Sequence, residues 1–99
     1  MFTMMVNDSL LKHHMNIPVY EKVSVVVIYR PSLSSTPRKM KWQAREYIFT
    51  KYNYHHAIRK GRTLFHIFHL SSEKMDFRLC FDTESLEWTL EEVYDGNTD

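Results

Sequence analysis

The sequence predicts an all-β, mostly antiparallel domain of about five strands, folded as a curved sheet or a small open barrel. Three observations carry this. Residues 75–95 read as a hairpin: Met75, Phe77, Leu79 and Phe81 alternate with polar or small partners, and Trp88 and Leu90 alternate on the return. Residues 20–30 are dense in β-branched side chains, with Val23, Val25, Val27 and Tyr29 on one face and Val26 and Ile28 on the other. Clusters of turn formers separate these runs, Asp82-Thr83-Glu84-Ser85 among them. An α+β alternative sets a helix over residues 8–16 or 53–60 against the sheet.

Taken in order, residues 1–19 form an N-terminal extension. It is either a short helix, capped by Asn7-Asp8-Ser9 and ended by Pro18, or disordered. Residues 20–95 make the single β-domain and residues 96–99 a tail. After the 20–30 strand, residues 31–37 hold two prolines and four hydroxyl side chains in seven positions, the composition of a loop. Met40 and Trp42 then alternate with Lys39, Lys41 and Gln43. A tight bend near 43–45 leads to Tyr47 and Phe49, and a bulge would return Tyr52 to their face. Residues 55–61 read as a connection. Residues 62–70 form a further strand, with Phe65 and Ile67 on one face and Leu64, His66, Phe68 and Leu70 on the other. Ser71 to Lys74 turns into the closing hairpin. The expected core is Val23, Val25, Val27, Met40, Trp42, Tyr47, Phe49, Phe65, Ile67, Phe77, Leu79, Phe81, Trp88 and Leu90.

Composition narrows the function. Ninety-nine residues fit one domain, and 43% hydrophobic residues suffice for a packed core. Two glycines leave no glycine-rich phosphate loop. The single cysteine, Cys80, can form neither an intrachain disulfide nor a cysteine-cluster zinc site. It falls on the face opposite Leu79 and Phe81 and reads as a packing or surface residue rather than a nucleophile. No run approaches a membrane span, and the first residues lack the basic start and apolar run of a signal peptide, so a cytoplasmic location without membrane association is the expectation.

Charge is uneven although the net is +1. Residues 22–62 carry ten of the thirteen Lys and Arg against one acid, Glu46, whereas residues 82–99 carry seven acids and no Lys or Arg. Within the basic region Arg38, Lys39, Lys41, Arg45, Arg59, Lys60 and Arg62 interleave with Trp42, Tyr47, Tyr52 and Tyr54. Basic residues beside aromatic platforms are how β-folds hold single-stranded nucleic acid. These seven side chains are therefore the candidate phosphate-binding set. The competing account makes the aromatics core and the cations their solvated neighbours. The acids Glu84, Glu87, Glu91 and Glu92 alternate with buried positions, the pattern of a solvated face.

The six histidines offer no helical pair and no cysteine partner. A metal reading would join His55 or His56 to His66 or His69, but His66 and His69 project to opposite faces of a strand. No nucleophile–base pair stands out. The expectation is a protein without cofactor, metal or catalytic residues.

Trp42-Gln-Ala-Arg-Glu-Tyr47, then Phe81-Asp82, then Trp88-Thr-Leu-Glu-Glu-Val-Tyr-Asp95, resemble a small bacterial β-domain family of unknown function. Its pattern is Trp-x-Gly-Arg-x-Tyr-x-Val, a variable middle, then Phe-Asp-x5-Trp-x-Leu-x-x-Val-Trp-Asp. The resemblance spans roughly residues 38–95. This chain departs from it at Ala44, where the family has Gly, and at Tyr94, where it has Trp. Copies of that domain stand alone or attached to Y-family DNA polymerase homologues. The resemblance implies a small β-domain near DNA and no catalytic residues. Two function classes follow for the chain. One is a nucleic-acid-associated accessory module. The other is a protein-interaction module or homodimer that uses an edge strand or the 31–37 loop.

Overall fold

The computed structural model describes residues 15–30, 33–73 and 75–95. All seven elements are strands: β1 (Met15–Arg30), β2 (Leu33–Trp42), β3 (Arg45–Ile48), β4 (Lys51–Lys60), β5 (Thr63–Ser72), β6 (Met75–Asp82) and β7 (Trp88–Asp95). They form one antiparallel sheet in the order β3-β2-β1-β7-β6-β5-β4. The all-β class holds, with seven strands where the sequence suggested five. No helix occurs among the described residues, and residues 53–60 of the α+β alternative lie in β4.

Connectivity dictates the curvature. β3 and β4 occupy opposite edges of the sheet, and six interstrand spacings would put them about 29 Å apart if it were flat. Yet only Phe49 and Thr50 join them, a reach of about 11 Å. The sheet must therefore curl until its edges face one another. Two hydrogen bonds mark the crossing: the Phe49 N–H donates to the Arg38 carbonyl and the Thr50 N–H to the Ser71 carbonyl, each at 2.9 Å. The Tyr52 hydroxyl reaches from β4 to the Pro37 carbonyl on β2. The described ladders leave β4 paired only to β5, so the barrel stays open along a seam.

β1 serves both halves of the curl. Its first part pairs with β7 from Met15↔Asp95 to Val23↔Trp88, and its second part with β2 from Ser24↔Lys41 onward. Residues 15–19 of the expected extension are thus sheet, and the domain starts earlier than residue 20. Residues 1–14, which hold most of the expected helix, and the 96–99 tail lie outside the described residues.

Two segments correct the sequence reading. Residues 33–37 of the expected 31–37 loop are strand, with Thr36↔Ile28 and Pro37↔Val27. Pro37 is tolerated because the register shifts beside it, where a ladder N–H is not required. Residues 55–60 of the expected connection continue β4. A register shift at Tyr52/Tyr54 leaves Asn53 as the extra residue. Tyr52 reaches the face of Phe49 through the Phe49–Thr50 corner, and the bulge follows it.

The inward face is packed in one half of the barrel. Met40, Phe49, Leu70, Phe77, Leu79, Leu90 and Val93 are buried together, with Val19, Val23, Val25, Trp42, Tyr47, Phe68, Met75 and Trp88 against them. Leu90 and Val93, three apart, both point inward because the Leu79↔Leu90 and Arg78↔Glu92 pairs leave Glu91 bulged between them. Most of the expected core is here. Val27, Phe81, Phe65 and Ile67 are the exceptions; Val27 and Phe81 lie beyond the packed cluster, while Phe65 and Ile67 are turned the other way. Phe65 and Ile67 sit on the convex face, where Ile67 and Cys80 are covered by neighbouring side chains, and Phe68 and Leu70 take the inward places on β5.

Candidate functional site: a hollow half-barrel

The same inward rows that pack one half leave the other half hollow. Along β6 the row runs Met75, Phe77, Leu79, Phe81; the first three meet the core and Phe81 lines a recess. Along β7 the row ends at Trp88, along β1 at Val27, and along β5 at Phe68 and His66. The recess measures about 600 Å3 and is completed by Thr36, Tyr52, His55 and Thr83. That volume suits a small organic ligand, and the mostly apolar lining with few polar groups is the composition such sites share.

An aromatic wall forms one side. His55 stacks on Phe68 with centroids 4.6 Å apart, and on His66 at 5.2 Å with an 18° interplanar angle. Phe68 continues to Trp88 at 5.5 Å, and Trp88 to Phe81 at 4.7 Å. Val27 and Thr36 lie on the facing strands β1 and β2.

The polar groups of the recess are differently engaged. The Thr83 hydroxyl donates to the Leu64 carbonyl at 2.7 Å, the Thr36 hydroxyl to the Ile28 carbonyl at 3.5 Å, and the Tyr52 hydroxyl to the Pro37 carbonyl. All three hydroxyl protons are turned to backbone. His55 Nε2 and His66 Nδ1 share one hydrogen bond at 3.0 Å. Burial, with His66 and His56 nearby, holds the His55 pKa below its ordinary 6.5, which favours the neutral ring.

The histidines sort by strand face. His55 and His66 enter the recess, while His56 and His69 stack outside at 5.9 Å beside Tyr54. Burial, and then Arg78 and His56, lower the His69 pKa as well. Among the described residues no group of three or more His, Cys, Asp or Glu is placed to hold a metal ion.

The seven cations of the candidate phosphate-binding set fall into two groups. β3 and β4 run in the same sense, so the turn at 43–44 and the turn at 61–62 stand at opposite ends of the barrel. Arg38, Lys39, Lys41 and Arg45 belong to the first. Lys39 is 3.6 Å from Glu46, and Arg45 lies over the Tyr47 ring at 5.8 Å. Arg59, Lys60 and Arg62 belong to the second. Arg59 donates to the Arg62 carbonyl at 3.4 Å, and Lys60 lies over Phe65 at 5.7 Å. Lys60 also lines a convex groove with Asp82, Glu87 and Glu91. The acidic hairpin is thus partly neutralised from within: Lys22 meets Glu87 at 3.0 Å and Arg78 meets Glu91 at 2.8 Å.

Sequence reasoning singled out the histidines but not the recess. The available signal was the inward row itself, which changes from large aliphatics to His55, His66 and Thr36 at one end. No family model, curated protein or solved structure matches this chain. No helix among the described residues is long and apolar enough to cross a membrane.

Proposed function

We propose that the protein is a non-enzymatic binding module that takes a small, largely apolar molecule into the hollow half of its barrel. The observation that carries this is the recess of about 600 Å3 between the aromatic wall and Val27. Small barrels either fill their interior with side chains or enclose a ligand. This one does the first in one half and leaves room for the second in the other.

The test is titration with the neutral fluorophore N-phenyl-1-naphthylamine. Enhanced emission should saturate at one probe per chain. Val27→Trp, which fills the recess, should abolish it, whereas Trp42→Phe in the packed half should not. Emission that never saturates, or a folded Val27→Trp protein that binds undiminished, would sink the reading.

A second reading, nucleic-acid contact, is supported by the β2–β3 hairpin. Exposed Arg38, Lys41 and Arg45 stand there on the strands that carry the Trp42–Tyr47 ring pair, whose centroids are 6.0 Å apart. The cations at the other end of the barrel do not add to this surface. With three such cations, single-strand affinity should fall with a log–log salt slope no steeper than about −2. Absence of oligonucleotide binding at low salt would remove it.

A further inference from the structure

The chemistry of the recess narrows its occupant. Among the described residues its lining contains no Asp, Glu, Lys or Arg. A charged ligand would lose its hydration there without meeting a counter-charge, so the site favours a neutral one. The aromatic wall from His55 through Phe68 to Trp88 offers ring faces to a flat molecule.

Hydrogen bonding then sets the polarity of its edge. With the hydroxyl protons of Thr36, Tyr52 and Thr83 directed to carbonyls, the imidazole pair and the Trp88 indole N–H are what remain to donate among the described residues, and only the pair also offers a free acceptor nitrogen. In the neutral pair one ring donates to the other across the 3.0 Å contact. If His55 Nε2 donates, His66 Nε2 carries a proton and His55 Nδ1 carries a lone pair. If His66 Nδ1 donates, these roles exchange. Either way the pair presents one donor and one acceptor beyond its internal bond, and no hydrogen bond from a described residue reaches His55 Nδ1 or His66 Nε2.

We propose that the His55–His66 pair selects a neutral, planar heteroaromatic ligand that carries both a hydrogen-bond donor and an acceptor, as a lactam does. This rests on the reading of the recess as a ligand site. The pair is open to solvent until it is covered, so a ligand that covers it but lacks either group would strip water from one imidazole nitrogen and leave it unpaired, a cost that selects against such analogues.

The experiment compares three fluorescent probes of similar size with the intact chain: 2-quinolone, 1-methyl-2-quinolone, whose donor is blocked, and naphthalene. 2-Quinolone should bind at least about tenfold more tightly than either of the others. That preference should disappear in His66→Phe and in His55→Gln, the second variant serving if the first fails to fold. Equal binding of all three probes would overturn the donor–acceptor selection and leave the apolar site standing. A preference that survives both substitutions would place the selection elsewhere. Failure of all three to bind, together with N-phenyl-1-naphthylamine, would overturn the ligand site itself.

Discussion

Replacing Ala44 by glycine should stabilise this protein, although Ala to Gly ordinarily weakens a fold. The β2–β3 hairpin turns through two residues between the Trp42↔Arg45 pair, and both have positive φ, 54° at Gln43 and 62° at Ala44. That is the signature of a type I′ turn, which matches strand twist but asks for glycine-like residues. Holding an L-residue in the left-handed region costs roughly 1–2 kcal/mol. Glycine relieves this and adds about 0.5–1 kcal/mol of unfolded-state entropy. The net gain for Ala44→Gly is about 0.5–1 kcal/mol, a rise in Tm of about 2–8 °C for a domain this size. Gly61 provides the mirror experiment. Its φ is +61°, and a Cβ there would meet nothing within 4 Å, so Gly61→Ala tests backbone strain without steric clash. It should lower Tm by a similar amount. The turns stand at opposite ends of the barrel, so the double variant should return close to the starting Tm. Thermal unfolding followed by circular dichroism reads all three. A lower Tm for Ala44→Gly, or shifts of the same sign for both single changes, would refute the argument.

Three further outcomes follow from the packing and the charges. Phe77 is 0% exposed and meets Tyr47 and Phe49 edge-on, so Phe77→Ala should cost about 3–5 kcal/mol in urea unfolding; a cost under about 1 kcal/mol would contradict its central place. The His55 and His69 pKa values lie below 6.5 in the folded state, so the unfolded chain binds more protons there. Their contribution is full above pH 6.5 and is lost as pH falls toward the folded values; the His55→Gln/His69→Gln variant should flatten that limb of a Tm–pH curve. Burial raises the Cys80 thiol from 9.0 to about 11, so native protein should react with 5,5′-dithiobis(2-nitrobenzoate) at pH 8 about a hundredfold more slowly than urea-unfolded protein, and equal rates would contradict the covered position.

What could be read from the chain depended on how clearly two faces differed. Phe77, Leu79 and Phe81 alternate with Asp76, Arg78 and Cys80, so the closing hairpin and its inward face were legible. On β5 both faces are apolar or aromatic. Periodicity separated Phe65 and Ile67 from Phe68 and Leu70 but could not say which pair packs inside. On β4, His55 to Lys60 has no apolar alternation because an edge strand is exposed on most of its length, and it read as a connection. β2 was hidden by composition, since Pro37 looks like a break until the register shift that accommodates it is known. Val93 was missed because it lies three residues from Leu90, and only the bulge at Glu91 turns both inward. The candidate site was illegible for a further reason. A recess is a property of the curl, and the curl follows from an edge-to-edge connection of two residues that only the strand order reveals.

The recess also sets function against stability in a way that can be measured. His55 and His66 occupy inward positions where the packed half has Leu70, Phe77 and Leu79. The pair is open to solvent, so replacing both imidazoles by apolar groups leaves no buried partner unsatisfied. His55→Phe/His66→Leu should therefore raise stability, by about 0.5–2 kcal/mol where the new side chains extend the core. Removing one member alone should cost stability by breaking the 3.0 Å hydrogen bond and the ring stacking between them. The double variant should at the same time lose the preference for 2-quinolone over its methylated analogue. Urea unfolding and the probe titration together decide the matter. A double variant that is less stable than either single one would make the imidazole pair a structural strut. A more stable one that no longer discriminates would mean the pair serves a ligand at some expense to the fold.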